Sequence, residues 1–240
     1  MTSKIDKGSG MASTGIIESR PVRERPRAMR VTRFALLLVM TWTVLADASR
    51  AITTVTGRYL FAGGGADPGL PLSELPQVRD AVLREGASGS LADADLLLRV
   101  LGAVPSVVHG VTVVLAIAWL LRALRGIAQG EPFHAFVVAN WRRLAITLLV
   151  GGVAQGVAGV VASTYLAAGL GFGFGGGGAV GTFGVGDPGR EGFLGGDYAT
   201  IGSDPVAWPV DLLLAGLVAL ALTAAFRAGA RLVEDVDGVV

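Results

Sequence analysis

The sequence predicts an all-α membrane protein, a four-helix transmembrane bundle with both termini cytoplasmic and a cytoplasmic interfacial helix between the second and third spans. Three observations predict it. Mean hydropathy is +0.60 and only 16% of the 240 residues are charged, against roughly a quarter in a soluble domain. The apolar residues are gathered into blocks of the length a bilayer requires. Arginines and lysines flank those blocks on alternate sides, as cytoplasmic connections do. Cysteine is absent, which excludes disulfides, thiolate metal sites and cysteine nucleophiles.

Residues 1–33 mix Ser, Gly, Pro and eight basic residues, the last of them Arg27, Arg30 and Arg33. Such a leader cannot bury enough apolar surface to order itself in water. The first span is expected over about 34–55, from "FALLLVMTWTVLA" into "DASRAITTV". A rival reading stays open, because a basic segment, an apolar run and Ala46-Asp47-Ala48 also describe a secretory signal with a small-residue cleavage site. The first outer connection, with "LPLSELPQVRDAVLREG" and "LADADLLLRVLG", has some helical spacing and is read as carrying one or two short surface helices. The second span, about 100–121, contains no formal charge.

The connection that follows, "RGIAQGEPFHAFVVANWRRL", is the most distinctive stretch of the chain. Gly130 ends a helix, and Pro132 suits the first turn of the next. Phe133, Phe136, Val137, Trp141 and Leu144 recur at helical spacing, while His134, Asn140 and Arg143 are assigned to another face. The expected element is an interfacial helix that turns down into the third span, about 144–168, with Trp141 at headgroup depth. The third span carries Gly152, Gly156 and Gly159, small residues that let a neighbouring helix approach closely, within the bundle or from a second molecule.

Residues 169–196 include fourteen glycines and are read as a flexible outer loop. "GFGFGG" matches a dinucleotide-binding pattern only by accident, with no strand before it and no helix start after it. The fourth span is expected over about 208–226. In the tail, "DVDG" ends too soon to complete a calcium loop. Glu234, Asp235 and Asp237 are expected to dock on Arg122, Arg125, Arg142 or Arg143. The leader, the middle connection and the tail hold fourteen of the basic residues, whereas the two outer connections hold six basic residues against twelve acidic ones. That asymmetry puts both ends in the cytoplasm and the protein in the cell (inner or plasma) membrane.

Two stretches are similar to a known family. "LRALRGIAQGEPFHAFVVANWRRL", through Gly130, Glu131, Pro132, Phe133, Asn140, Arg143 and Leu144, resembles the cytoplasmic connection of the bacterial four-span proteins called the domain of unknown function 2975 family. The ending "AAFRAGARLVEDVDGVV", through Phe226, Gly229, Arg231, Leu232, Glu234, Asp235, Gly238 and Val239, resembles that family's tail. The resemblance implies four helices, no established activity and, as a partner, a helix-turn-helix transcription regulator of the kind often encoded beside such proteins.

These readings assign candidate partner-binding roles to Gly130, Glu131, Pro132, Phe133, Asn140, Arg143, Gly229, Arg231, Leu232 and Asp235. Besides the lipid bilayer and a cytoplasmic regulator, helix association through Gly152 and Gly156 is a third candidate contact, and direct nucleic-acid binding is not expected. Asp47 and His109 are the intramembrane polar residues. For Asp47 the simple account is a local pair with Arg50 one turn on, and for His109 a neutral ring bonded to a neighbour. The competing function is a small permease or channel subunit working through these two. Catalytic, metal-binding and cofactor-binding residues are not assigned, since no nucleophile with its base and no ligand cluster falls at one membrane depth.

Overall fold

The computed structural model describes residues 26–60, 69–129, 133–171 and 180–237. Among the described residues, four helices are long and apolar enough to cross a membrane: α1 (Pro26–Thr56), α2 (Leu96–Ala128), α3 (Ala135–Gly169) and α5 (Val210–Asp237). At 33 and 35 residues, α2 and α3 each run about 50 Å. They therefore outreach the roughly 30 Å of hydrocarbon and stand beyond it. Sequential helices pack on one another, α1 on α2, α2 on α3 and α3 on α5.

The α3–α5 contact is made at glycines. Gly152 receives Leu213 and Gly156 receives the Trp208 ring just before α5, while Gly216 of α5 lies against Leu149 of α3. The small-residue stripe of the third span is thus covered from within the same chain. Leu37, Leu38 and Trp42 on α1, with Leu214, Leu217 and Val218 on α5, are exposed, as lipid-facing side chains are.

The segment after Pro132 is helical but not a separate interfacial element. His134 caps α3, its Nδ1 accepting from the Phe136 amide at 3.2 Å. The helix then continues unbroken through Leu144 to Gly169. No proline interrupts the helix between Ala135 and Gly169, so the expected interfacial segment and the third span belong to one continuous element. α1 likewise runs unbroken through Ala46-Asp47-Ala48.

The described residues also contain a sheet, which the all-α expectation did not include. β1 (Val78–Leu83), β2 (Val180–Thr182) and β3 (Tyr198–Ser203) form an antiparallel sheet in the order β1-β3-β2. Val78 faces Ser203, Ala81 faces Ile201, and Thr182 faces Thr200. Two 3₁₀ turns, Leu72–Glu74 and Leu91–Asp93, and the short helix α4 (Pro188–Leu194) complete this region. "LPLSELPQVRDAVLREG" is therefore a 3₁₀ turn and a strand rather than a surface helix, and 180–196 is built into the same unit rather than being loop. The glycine-rich residues 172–179 lie outside the described residues.

This unit has its own core. Leu72, Leu75, Leu91, Leu194 and Ile201 pack against Leu98 of α2 and Leu166 of α3, so the sheet is fused to one end of the bundle. Gly57 and Gly195 adopt positive φ (67° and 71°) where the chain crosses the Leu91–Asp93 turn, against Ala92 and Ala94 respectively. No Cβ fits there.

Candidate functional site

Two polar constructions lie at opposite ends of the bundle. At the end away from the sheet, the start of α3 meets the end of α5. The Phe133 and Phe226 rings are 6.2 Å apart, Trp141 stacks on Phe226 at 5.9 Å, and Phe133 lies against Gly229. The two stretches singled out in the sequence therefore touch. Beside this aromatic joint is a groove of about 570 Å³ whose lining includes Phe133, Val138 and Ile146 with Arg142, Arg143, Arg227 and Arg231. All four arginines are exposed. Arg143 also lies over the Trp119 ring at 5.1 Å, with Arg122 at 4.6 Å from the same ring. Four guanidiniums around an apolar floor, with no carboxylate among the described lining residues, can hold an anionic group through paired N–H donors.

The candidate residues separate here. Phe133, Arg143 and Arg231 line the groove, Gly229 supports it and Leu232 is exposed beyond it. Asn140 does not belong to it. Its side chain is 0% exposed, with Nδ2 donating to the Phe136 carbonyl at 2.7 Å. It shares the buried stripe of Val137 and Leu144, so it cannot touch a partner. Gly130, Glu131 and Pro132 lie outside the described residues, as does the side chain of Asp235, and with it the expected docking of the acidic tail on the arginines.

At the sheet end, Asp47 of α1 and His109 of α2 meet across the helix interface, Oδ2 to Nδ1 at 2.7 Å. The Asp47 side chain lies close beside Gly110 of α2. The partner of Asp47 is thus His109, two helices being joined where the sequence suggested a local pair with Arg50. Both face a cavity of about 370 Å³ with Arg50, Gln77, Gln155 and Asp204. Gln77 is 4% exposed and neither its Nε2 nor its Oε1 has a partner, and Gln155 Oε1 has none either. Pro105, inside α2, removes one amide donor from the helix at the cavity wall.

Gln77 and Asp204 carried no sequence signal. They are adjacent only because β1 and β3 pair, the Asp204 amide donating to the Gln77 carbonyl at 3.2 Å. Between this cavity and the arginine groove lies an apolar cluster of Ala116, Leu144, Leu148, Leu212 and Ala219. Among the described residues no three His, Cys, Asp or Glu side chains gather as a metal site.

No protein-family model, no curated protein and no solved structure matches the chain. The membrane-spanning character therefore rests on the four apolar helices themselves.

Proposed function

We propose that this is a non-enzymatic integral membrane protein of the cell membrane whose arginine-bearing face lies in the cytoplasm and docks an acidic segment of a protein partner. One observation carries the reading, the convergence of Arg142, Arg143, Arg227 and Arg231 on a single apolar-floored groove. Orientation follows from the same residues, because arginines near the ends of spans are retained on the cytoplasmic side. Both termini then lie inside and the sheet outside. Retention of the first span is supported by the Asp47–His109 contact, which cleavage after Ala48 would remove. The likeness to the domain of unknown function 2975 family supports a helix-turn-helix regulator as the kind of partner.

The test is a photoreactive residue placed at Ala139 or Ala230 in cells. The expected product is a covalent adduct with an acidic cytoplasmic protein, lost in the Arg227→Glu, Arg231→Glu double variant and never formed from Leu217, which is exposed on the span. Adducts with phospholipid alone would sink the reading. Reporter fusions at Val240 and near Gly175 check orientation, with activity on opposite sides of the membrane expected.

A second reading, a small permease or channel subunit, is favoured by the 2.7 Å approach of His109 to Asp47. It predicts that His109→Ala alters solute flux in reconstituted vesicles, whereas partner docking predicts unchanged capture in that variant.

A further inference from the structure

We propose that the arginine groove also seats an anionic membrane lipid whose head carries two phosphodiesters. Its placement at the inner leaflet rests on the reading above, and the lipid names a second occupant of the same groove.

The charges set the head. Arg142 and Arg143 stand on α3 and Arg227 and Arg231 on α5, around one groove with no carboxylate among its described lining residues. A phosphodiester has two unesterified oxygens and can take two guanidiniums through paired N–H donors. Four guanidiniums therefore match two phosphates, whereas a head with a single phosphate leaves two of them without a counter-charge. Arg143 is restrained over the Trp119 ring at 5.1 Å, so part of the site is set before a ligand arrives. Basic pockets between spans on the cytoplasmic side suit diphosphate heads in membrane proteins generally.

The apolar surface selects a lipid over a soluble diphosphate. On α3, Arg142 is followed one turn later by Ile146, which lines the groove and begins a stripe of exposed Val150, Val153 and Val157 down the third span. On α5, Arg227 stands one turn from exposed Ala224, with exposed Leu220 and Leu217 at helical spacing beyond it. Each arginine pair thus heads a row of apolar side chains running into the span. Acyl chains lie along such rows while the head stays with the arginines. The groove, at about 570 Å³, is within the range of small-molecule sites and holds a head, leaving the chains outside on the rows. An acidic protein segment meets the same guanidiniums, so one occupant excludes the other.

The experiment uses the full chain purified in a neutral detergent with no partner present. Bound lipid is counted by native mass spectrometry as cardiolipin, phosphatidylglycerol or phosphatidylcholine is added. The expected result is saturable binding of cardiolipin, about tenfold or more tighter than phosphatidylglycerol because two further guanidiniums are engaged, and none of phosphatidylcholine. Arg142→Gln with Arg231→Gln, one arginine from each helix, should weaken cardiolipin about tenfold or more. Arg125→Gln, exposed but outside the groove lining, should not. Should the double variant misfold, Arg227→Gln alone makes the same test. Sodium pyrophosphate, a diphosphate without chains, should compete only in large excess over the lipid. No saturable binding, equal binding of cardiolipin and phosphatidylglycerol, an equal loss in Arg125→Gln, or displacement by pyrophosphate at the lipid's own concentration would each overturn the proposal. Protein adducts from Ala139 or Ala230 without cardiolipin binding would remove the lipid and leave partner docking standing. Cardiolipin binding without protein adducts would do the reverse.

Discussion

The Phe133 ring lies against the backbone of Gly229, so the segment that leads into α3 is held to the last turns of α5 at a position where α5 carries no side chain. A leucine at 229 would occupy the ring's position. Gly229→Leu is expected to part the two helices and open the arginine groove. The chain has no cysteine, so a Phe133→Cys, Gly229→Cys pair can be read without background. A short bifunctional thiol reagent should join the two in membranes, while a pairing of Phe133→Cys with Leu217→Cys stays unjoined.

Asp47 and His109 form a coupled pair across α1 and α2, with side chains 15% and 26% exposed. Removing either leaves the other partly buried without its partner, which is worse than removing both. A double-mutant cycle with Asp47→Ala and His109→Ala should show a coupling of about 0.5–3 kcal/mol. Additive losses in unfolding of the purified protein would show that the contact contributes nothing.

Two glycines on α3 only three residues apart should respond differently. Gly156 lies against the Trp208 ring, whereas a methyl group at Gly159 would meet Val206 at an ordinary 3.4 Å. Gly156→Ala is expected to lose about 1–3 kcal/mol through overpacking and to shift Trp208 emission as the ring is displaced. Gly159→Ala should be close to neutral in the same unfolding measurement.

The contrast between these two glycines shows what the sequence could and could not convey. The four spans were legible because length and apolar content are local properties: α1, α2 and α3 each contain the expected block, and α5 contains all of its block except Trp208 and Pro209. The glycine stripe was legible as a packing surface, but its occupant was not, because Trp208 reaches Gly156 only through the fold. The sheet was invisible for a similar reason: Val78–Leu83 pairs with Tyr198–Ser203, far along the chain, and no local period reports such a pairing. Asn140 was misplaced because it is polar. Its spacing from Val137 and Leu144 puts it on their buried stripe, where its Nδ2 donates to the Phe136 carbonyl within the helix. Of the two polar constructions, the arginines were readable as belonging to one side but not as one groove, and the cavity needed Gln77 and Asp204 brought in by the sheet.

Arg84 fastens the end of β1 to two other segments. Its Nε donates to Asp197 at 2.8 Å, and its Nη2 donates to the carbonyls of Phe183 and Gly184, both at 3.1 Å. A lysine has the charge but not the fork. Arg84→Lys should loosen the 180–184 segment while leaving the spans intact, seen as faster amide hydrogen exchange in β2 and unchanged exchange in α2 and α3. Equal protection of β2 in the variant would show that the strand needs no such tie.

Tyr198 gives the sheet unit a pH dependence of predictable sign. Its side chain is packed in the core at 4% exposure, and burial first, then the nearby Asp93 carboxylate, pushes its phenol above the ordinary value of 10. The folded protein therefore keeps the proton that the unfolded chain releases as pH passes about 10. Stability from this residue is fully present below that pH. It falls as pH rises towards the folded value, by at most about 1.4 kcal/mol per unit for one proton. Tyr198→Phe removes the titrating group while keeping the ring in the core. Its unfolding should lose less stability between pH 9 and pH 11 (about one unit either side of the ordinary phenol value) than that of the parent protein. Parallel pH profiles would mean that the phenol ionises as readily in the folded state as in the unfolded chain.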